Sequence, residues 1–329
     1  MRYGLPILGL TALLFSILWP EQAKPPAGTE VKTPSPALYE SAIRPLPATL
    51  PHHPERAALG ERLFLDKRLS RDNSIACDDC HRLTHAGTDG LTMSVGVGGA
   101  MEKRNTPSVF NAALNVLQFW DGRARDLRQQ AEMPILDKNE MGSTWPQVLD
   151  KLKADERYRD DFLKLYPDGL TRENVLDALV EFERTLITPD APFDRYLRGE
   201  TGALTPQAER GWKLFQDRGC IACHQGINIG GNLLQRIGVM QEPLNGLGAD
   251  PGRFAVTGAE ADRHVFKVPG LRNVARTGPW FHDGSARTLE DAVQFMGRAQ
   301  LGIELSPEEV RALTAFMHSL TGQWRGKPL

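Results

Sequence analysis

Four cysteines in 329 residues, all of them in two copies of one pattern, constrain this chain more than any other feature. The copies are CDDCH, with Cys77, Cys80 and His81, and CIACH, with Cys220, Cys223 and His224, 143 positions further on. No cysteine is left for a structural disulfide. A zinc site with four ligands would have to recruit both copies across that separation, and a redox pair of the thioredoxin kind needs no adjacent histidine. Covalent attachment of c-type haem uses every residue. Two thiols add to the two vinyl groups on one porphyrin edge, and the next histidine is placed to ligate the iron. Two covalently bound haem c groups are therefore expected.

The chain begins MRYGLPILGLTALLFSILWPEQA, in which Arg2 precedes a 15-residue apolar run from Leu5 to Trp19. The run falls short of the roughly 20 residues that span a bilayer, so residues 1–23 read as an export signal with cleavage after Ala23. Retention as an uncleaved anchor is the alternative, and membrane contact is expected only in that case. Eight prolines between residues 20 and 51 mark residues 24–54 as a Pro-rich linker. The expected location is the periplasm. A net charge of -2 gives no broad basic surface, which excludes nucleic acid as a partner.

The expected fold class is mainly α, two haem domains of similar design with long loops, since the porphyrin fills much of each small core. Leu59, Leu63, Phe64 and Leu69 share one helical face ahead of the first motif. Thr205 as N-cap with Pro206 after it starts a helix that delivers Cys220. Helical periodicity also runs through residues 145–167 and 171–188. Ser306 and Glu309 form a capping box around Pro307, on a helix expected to close at Gly322. Proline, glycine and charge mixed over residues 188–204 place the boundary between an N-terminal domain, 55–190, and a C-terminal domain, 191–322.

From residue 55 to 322 the sequence resembles the bacterial dihaem cytochrome c peroxidases and their relative MauG. The resemblance rests on CDDCH, RNTPSVFNAA, QFWDGRARDLRQQA, EMG, CIACH and FKVPGLRNVARTGPWFHDGSARTLEDAVQFMG, in that order. It implies cytochrome c-like domains, with the first haem, on His81, reacting with peroxide and the second, on His224, transferring electrons. It implies that Trp120 lies between the haems and couples them, and that Glu140 is the catalytic acid and base, with Gln130 as its polar partner and Pro134 in the same pocket. Met296 would be the second ligand of the His224 haem, which raises its reduction potential. Asn105, Thr277 and Pro279 match the ligands of a calcium ion between the domains, with water completing the shell. The implied partners are hydrogen peroxide and a small cytochrome c or cupredoxin donor, and the family admits a homodimer.

One departure bears on mechanism. Many members carry a histidine on the SxGxG loop that caps the resting first haem, and the matching residue here is Val97, which cannot ligate iron. His85 is a poor substitute, lying only four residues after His81. The first haem is accordingly expected to stay open without reductive activation. The leading expectation is a peroxidase. A MauG-like oxidase that modifies a partner protein and a non-catalytic electron-transfer cytochrome are the alternatives. MauG carries tyrosine where this chain has Met296, which favours the peroxidase.

Overall fold

The computed structural model describes residues 43–241 and 249–329. The expected export signal and most of the expected linker lie outside the described residues. Along the chain run α1 (Pro54–Phe64), α2 (Cys77–Cys80), α3 (Leu127–Leu136), α4 (Trp145–Lys153), α5 (Glu156–Leu165) and α6 (Arg172–Glu183). They are followed by α7 (Pro192–Leu197), α8 (Pro206–Asp217), α9 (Phe254–Thr257), α10 (Leu289–Met296) and α11 (Pro307–His318). Extended structure among the described residues is confined to short antiparallel pairs, β1 (Leu234–Arg236) with β2 (Val265–Lys267) and β3 (Gln323–Trp324) with β4 (Lys327–Pro328). The mainly helical expectation is met.

Each half is built on a helix crossing notched by a glycine. α1 crosses α6 where a Cβ on Gly60 would stand 1.8 Å from the Ala178 carbonyl oxygen. α8 crosses α11 where a Cβ on Gly211 would stand 2.0 Å from that of Ala312. Only glycine permits so close an approach of two backbones. Beside each notch an aromatic pair closes the contact, Phe64 with Phe182 and Phe215 with Phe316, both with ring centroids 5.2 Å apart. Around these crossings lie two separate buried cores, one with Leu63, Phe162 and Phe182, the other with Phe193, Trp212 and Phe316. Cys77 packs against the first and Cys220 against the second, so the two motifs do not meet in one metal site.

Caps explain where helices stop. The periodicity over 145–167 is cut into α4 and α5 because the Asp155 side chain accepts the Arg157 amide at 2.9 Å and starts a new helix. The capping box of Ser306 and Glu309 is present, but α11 ends at His318. Gly322 instead allows a close backbone approach, since a Cβ there would lie 2.0 Å from the Thr188 carbonyl oxygen. The described part of the expected linker is packed. Ile43 is buried in the second core, the Leu46 amide donates to Asp194 at 3.1 Å, and Arg272 donates to the Arg44 carbonyl at 3.1 Å.

A structural repeat of 162 positions relates the segments between the motifs and the ends of the halves. Asn111 and Asn273, both at positive φ (62° and 65°), each open a short 3-10 turn. Their side-chain amides converge on one buried hydroxyl, Thr188 Oγ1, at 2.7 and 2.9 Å. Tight reversals follow, closed by the bridges Gln118 to Ala124 and Trp280 to Ala286. Phe119 and Phe281 take positive φ in them (64° and 71°). Asp126 then caps α3 and Thr288 caps α10. At the centre the halves exchange backbone hydrogen bonds: Asn105 N donates to His282 O at 2.7 Å, and Lys267 N donates to Trp120 O at 2.7 Å. Asn105 and Lys267 are one repeat apart, and so are Trp120 and His282.

Candidate functional site

In the second half, one cavity of about 270 Å³ gathers Cys220, Cys223, His224 and Met296. α8 leads to the attachment turn, where the His224 amide donates to the Cys220 carbonyl at 3.0 Å. His224 Nδ1 is buried with no hydrogen-bond partner among the described residues. Burial pushes the imidazole pKa down to about 4, so it is neutral and free to ligate at ordinary pH. Met296 is the last residue of α10, followed at once by a π turn over Gly297–Leu301. Such turns are common at functional sites because they re-aim a helix end. The lining is otherwise apolar, including Phe215, Leu289, Val293 and Leu313. Two thiols, a neutral imidazole and a thioether facing one apolar cavity fit a covalently held haem with histidine and methionine ligands.

The same cavity reaches the seam between the halves, where Asn105, Trp120, Thr277, Pro279 and His282 line it. The Trp120 indole donates to the Asn105 carbonyl at 2.8 Å, and its ring meets His282 edge-on at 6.2 Å. The Asn105 side-chain amide donates to the Leu91 carbonyl at 2.8 Å.

In the first half, α2 presents Cys77 and Cys80 from a single turn, and the His81 amide donates to the Cys77 carbonyl at 2.9 Å. His81 Nδ1 donates to the Gly87 carbonyl at 3.3 Å, a tautomer that leaves Nε2 able to accept a metal. Burial lowers the His81 pKa and raises that of Cys80 to about 12. Thiols held protonated in this way are not a reactive redox pair, and the geometry fits attachment of a haem. His85 is exposed, with Nε2 directed to Gly90, and has no place as a second ligand.

Glu140 comes to this site from beyond α3. Hydrogen bonds from Met141 N to Pro134 O and from Ser143 N to Ile135 O fold its turn back on the helix that carries Gln130 and Pro134. Those two residues are four apart and share a helix face. The Glu140 carboxylate lies close enough to bear on the titration of both Cys77 and Cys80. Its own pKa is raised to about 7, chiefly by burial and then by the negative charges of Glu102 and Asp137, while Arg123 opposes the rise. The glycine loop is pinned across the same turn. Val97 is 3% exposed, its amide donates to the Glu140 carbonyl at 2.8 Å, and a Cβ on Gly96 would stand 1.8 Å from the Asn139 oxygen.

Three charged groups escaped the sequence reading. Glu102 ends the glycine loop with a buried Oε1 that has no partner among the described residues, and its pKa is raised by burial. Glu183, on α6, is buried and raised to about 8, and its charge bears on Cys77. Lys267 lines the second cavity with no ion pair among the described residues. For Lys267 a signal existed: a lysine inside an otherwise apolar FKVP run.

These features define a class, a two-domain c-type cytochrome with two unlike sites. The family model described as di-haem cytochrome c peroxidase matches residues 54–202, and the cytochrome c model matches residues 208–321. The chain is 46% identical to cytochrome c peroxidase Ccp of Escherichia coli over 88% of its own length, and spans 63% of that relative. It is 43% identical to cytochrome c551 peroxidase of Pseudomonas aeruginosa, covering 87% of each chain. To methylamine utilization protein MauG of Methylorubrum extorquens it is 37% identical, over 85% of this chain and 82% of that one. The crystal structure of a MauG-like protein associated with microbial copper homeostasis matches with a TM-score of 0.74 at 28% identity, over 85% and 93% of the two chains. The chain belongs to the dihaem cytochrome c peroxidase family, and its halves are cytochrome c-like domains for two haem c groups.

Proposed function

We propose that this chain is an exported dihaem peroxidase that reduces hydrogen peroxide to two waters, consuming two protons and two electrons. The carrying observation is Glu140: a carboxyl with its pKa raised to about 7 beside the first attachment turn, on a turn held between Val97 and α3. Haem iron bound by His81 would supply the open coordination position and the electron transfer; the chain's own residues do the rest. Glu140 takes a proton from the incoming peroxide and returns one to the oxygen that leaves as water. A pKa near 7 suits both duties. Gln130, on the face of α3 shared with Pro134, holds the peroxide in line, and Arg123 balances the acid cluster.

Electrons enter at the second site from a small cytochrome c or cupredoxin. Trp120, hydrogen-bonded at the seam, couples the two sites. Val97 puts an apolar, buried side chain where many family members carry a capping ligand, so the first site needs no reductive activation. A calcium ion at the seam would use Asn105 Oδ1 and the carbonyls of Thr277 and Pro279, three oxygens that accept no hydrogen bond among the described residues. Among the described residues no helix is long and apolar enough to cross a membrane; the leader motif supports export to the periplasm. A MauG-like action on a partner protein is the second reading, favoured by the open first site, while Met296 beside His224 weighs against it.

Glu140→Gln tests the assignment. Turnover with a reduced donor should fall by about 10²–10⁴-fold with both haems attached; undiminished turnover removes Glu140 from the acid and base role.

A further inference from the structure

The second cavity carries an uncompensated charge. Among the described residues two cationic side chains line it, Arg272 and Lys267, and no aspartate or glutamate does. Arg272 is already neutralised: its guanidinium donates to Asp194 at 2.6 Å, with the two side chains 1% and 0% exposed. Lys267 is 8% exposed, and among the described residues its ammonium makes neither a hydrogen bond nor an ion pair. Burial lowers its pKa to about 8, with no anion pulling it back. A charge so little exposed favours an anion beside it, which the cavity's occupant would bring.

Backbone hydrogen bonds hold Lys267 at the seam. Lys267 N donates to the Trp120 carbonyl, and β2 pairs it with Leu234. Beside it His282, 2% exposed and stacked on Phe266 at 4.1 Å, has a buried Nε2 with no partner among the described residues. Two orphaned polar groups, an ammonium and an imidazole nitrogen, therefore face one cavity at the Trp120 seam. The repeat sharpens the contrast. At the matching position of the first half stands Asn105, whose side-chain amide is consumed by the Leu91 and Thr92 carbonyls.

We propose that Lys267 is a positioning residue of the second site: its ammonium binds a carboxylate of the haem held by Cys220 and Cys223, beside Trp120, and raises that haem's reduction potential. A positive charge at the porphyrin edge favours the reduced iron, in the same direction as a methionine ligand. This rests on the second cavity holding haem with Met296 as ligand.

The test is a spectroelectrochemical titration of the holoprotein, read at the methionine-to-iron charge-transfer band. Lys267→Met should lower the midpoint potential of that haem with both haems still attached, and Lys267→Arg should restore it toward the unmodified value. Lys267→Gln carries the same test should the methionine variant fail to mature. An unchanged midpoint in the fully loaded neutral variant overturns the proposal. Absence of the charge-transfer band from the unmodified protein would instead defeat the Met296 assignment, so the two failures are distinguishable.

Discussion

The two halves share a backbone frame and differ in three side chains on which the proposed division of roles rests. Counting from the helix caps Asp126 and Thr288, the eighth residue is Pro134 in one half and Met296 in the other. A thioether can ligate iron and a pyrrolidine ring cannot, so on the proposed function this one position would separate a closed electron-transfer site from an open reactive one. At the tight reversals Trp120 corresponds to His282, and at the seam Asn105 corresponds to Lys267. The first half adds the Glu140 turn behind α3, whereas α10 runs into the π turn that follows Met296. On that function a repeated frame takes on two roles through ligand, seam and charge, with the helix crossings left alike.

The comparison is broken most severely by Pro134→Met. The substitution returns an amide to α3 and keeps the backbone oxygen that accepts from Met141, so the helix should tolerate it. Its expected outcome is a six-coordinate, low-spin first haem and loss of nearly all peroxide turnover, read by EPR and by assay. A high-spin first haem with full turnover would show that position 134 does not face the iron. The unmodified oxidised protein provides the baseline: no low-spin bis-histidine signal is expected from its first haem.

Thr188→Val attacks what the halves share. One hydroxyl accepts from both Asn111 and Asn273, and all three residues are buried. Valine keeps the shape and orphans two donors, at about 1–3 kcal/mol each, so roughly 2–6 kcal/mol in all. Denaturant unfolding should show both halves destabilised together. A loss confined to one half would mean that the second amide finds another acceptor.

Much of this was legible in the chain because it is written locally. The haem turns are five-residue motifs, and Thr205 and Ser306 cap the helices they were expected to cap. The break at Asp155 was missed because helical periodicity continues across it and only the cap interrupts the backbone. Gly322 was read as a helix end, whereas its requirement comes from Thr188, far away in sequence. Glu102 gave no such local signal, and the lysine in the apolar FKVP run marked Lys267 without showing what it faces. Each matters through burial against segments tens to over a hundred residues distant, and only folding reveals that no partner reaches them among the described residues.

Glu102→Gln gives the smallest effect and the finest test of the first site. Glu102 and Glu140 repel one another when both are ionised, and Asp137 adds to the field while Lys103 and Arg123 oppose it. Removing the Glu102 charge favours ionised Glu140, lowers its pKa from about 7, and moves the acid limb of kcat/KM to lower pH. The shift should be a fraction of a unit, because burial is the first cause of the rise and Glu102, itself raised, carries only part of its charge there. Stability gives an independent reading. With a folded pKa above the ordinary 4.5, Glu140 binds more protons in the folded state between pH 4.5 and 7, so its contribution to stability falls as pH rises through that window. Glu140→Gln should flatten this slope and Glu102→Gln should shorten its upper end. An acid limb that stays in place in Glu102→Gln would mean that Glu102 is protonated throughout, leaving Glu140 tuned by burial and Asp137 alone.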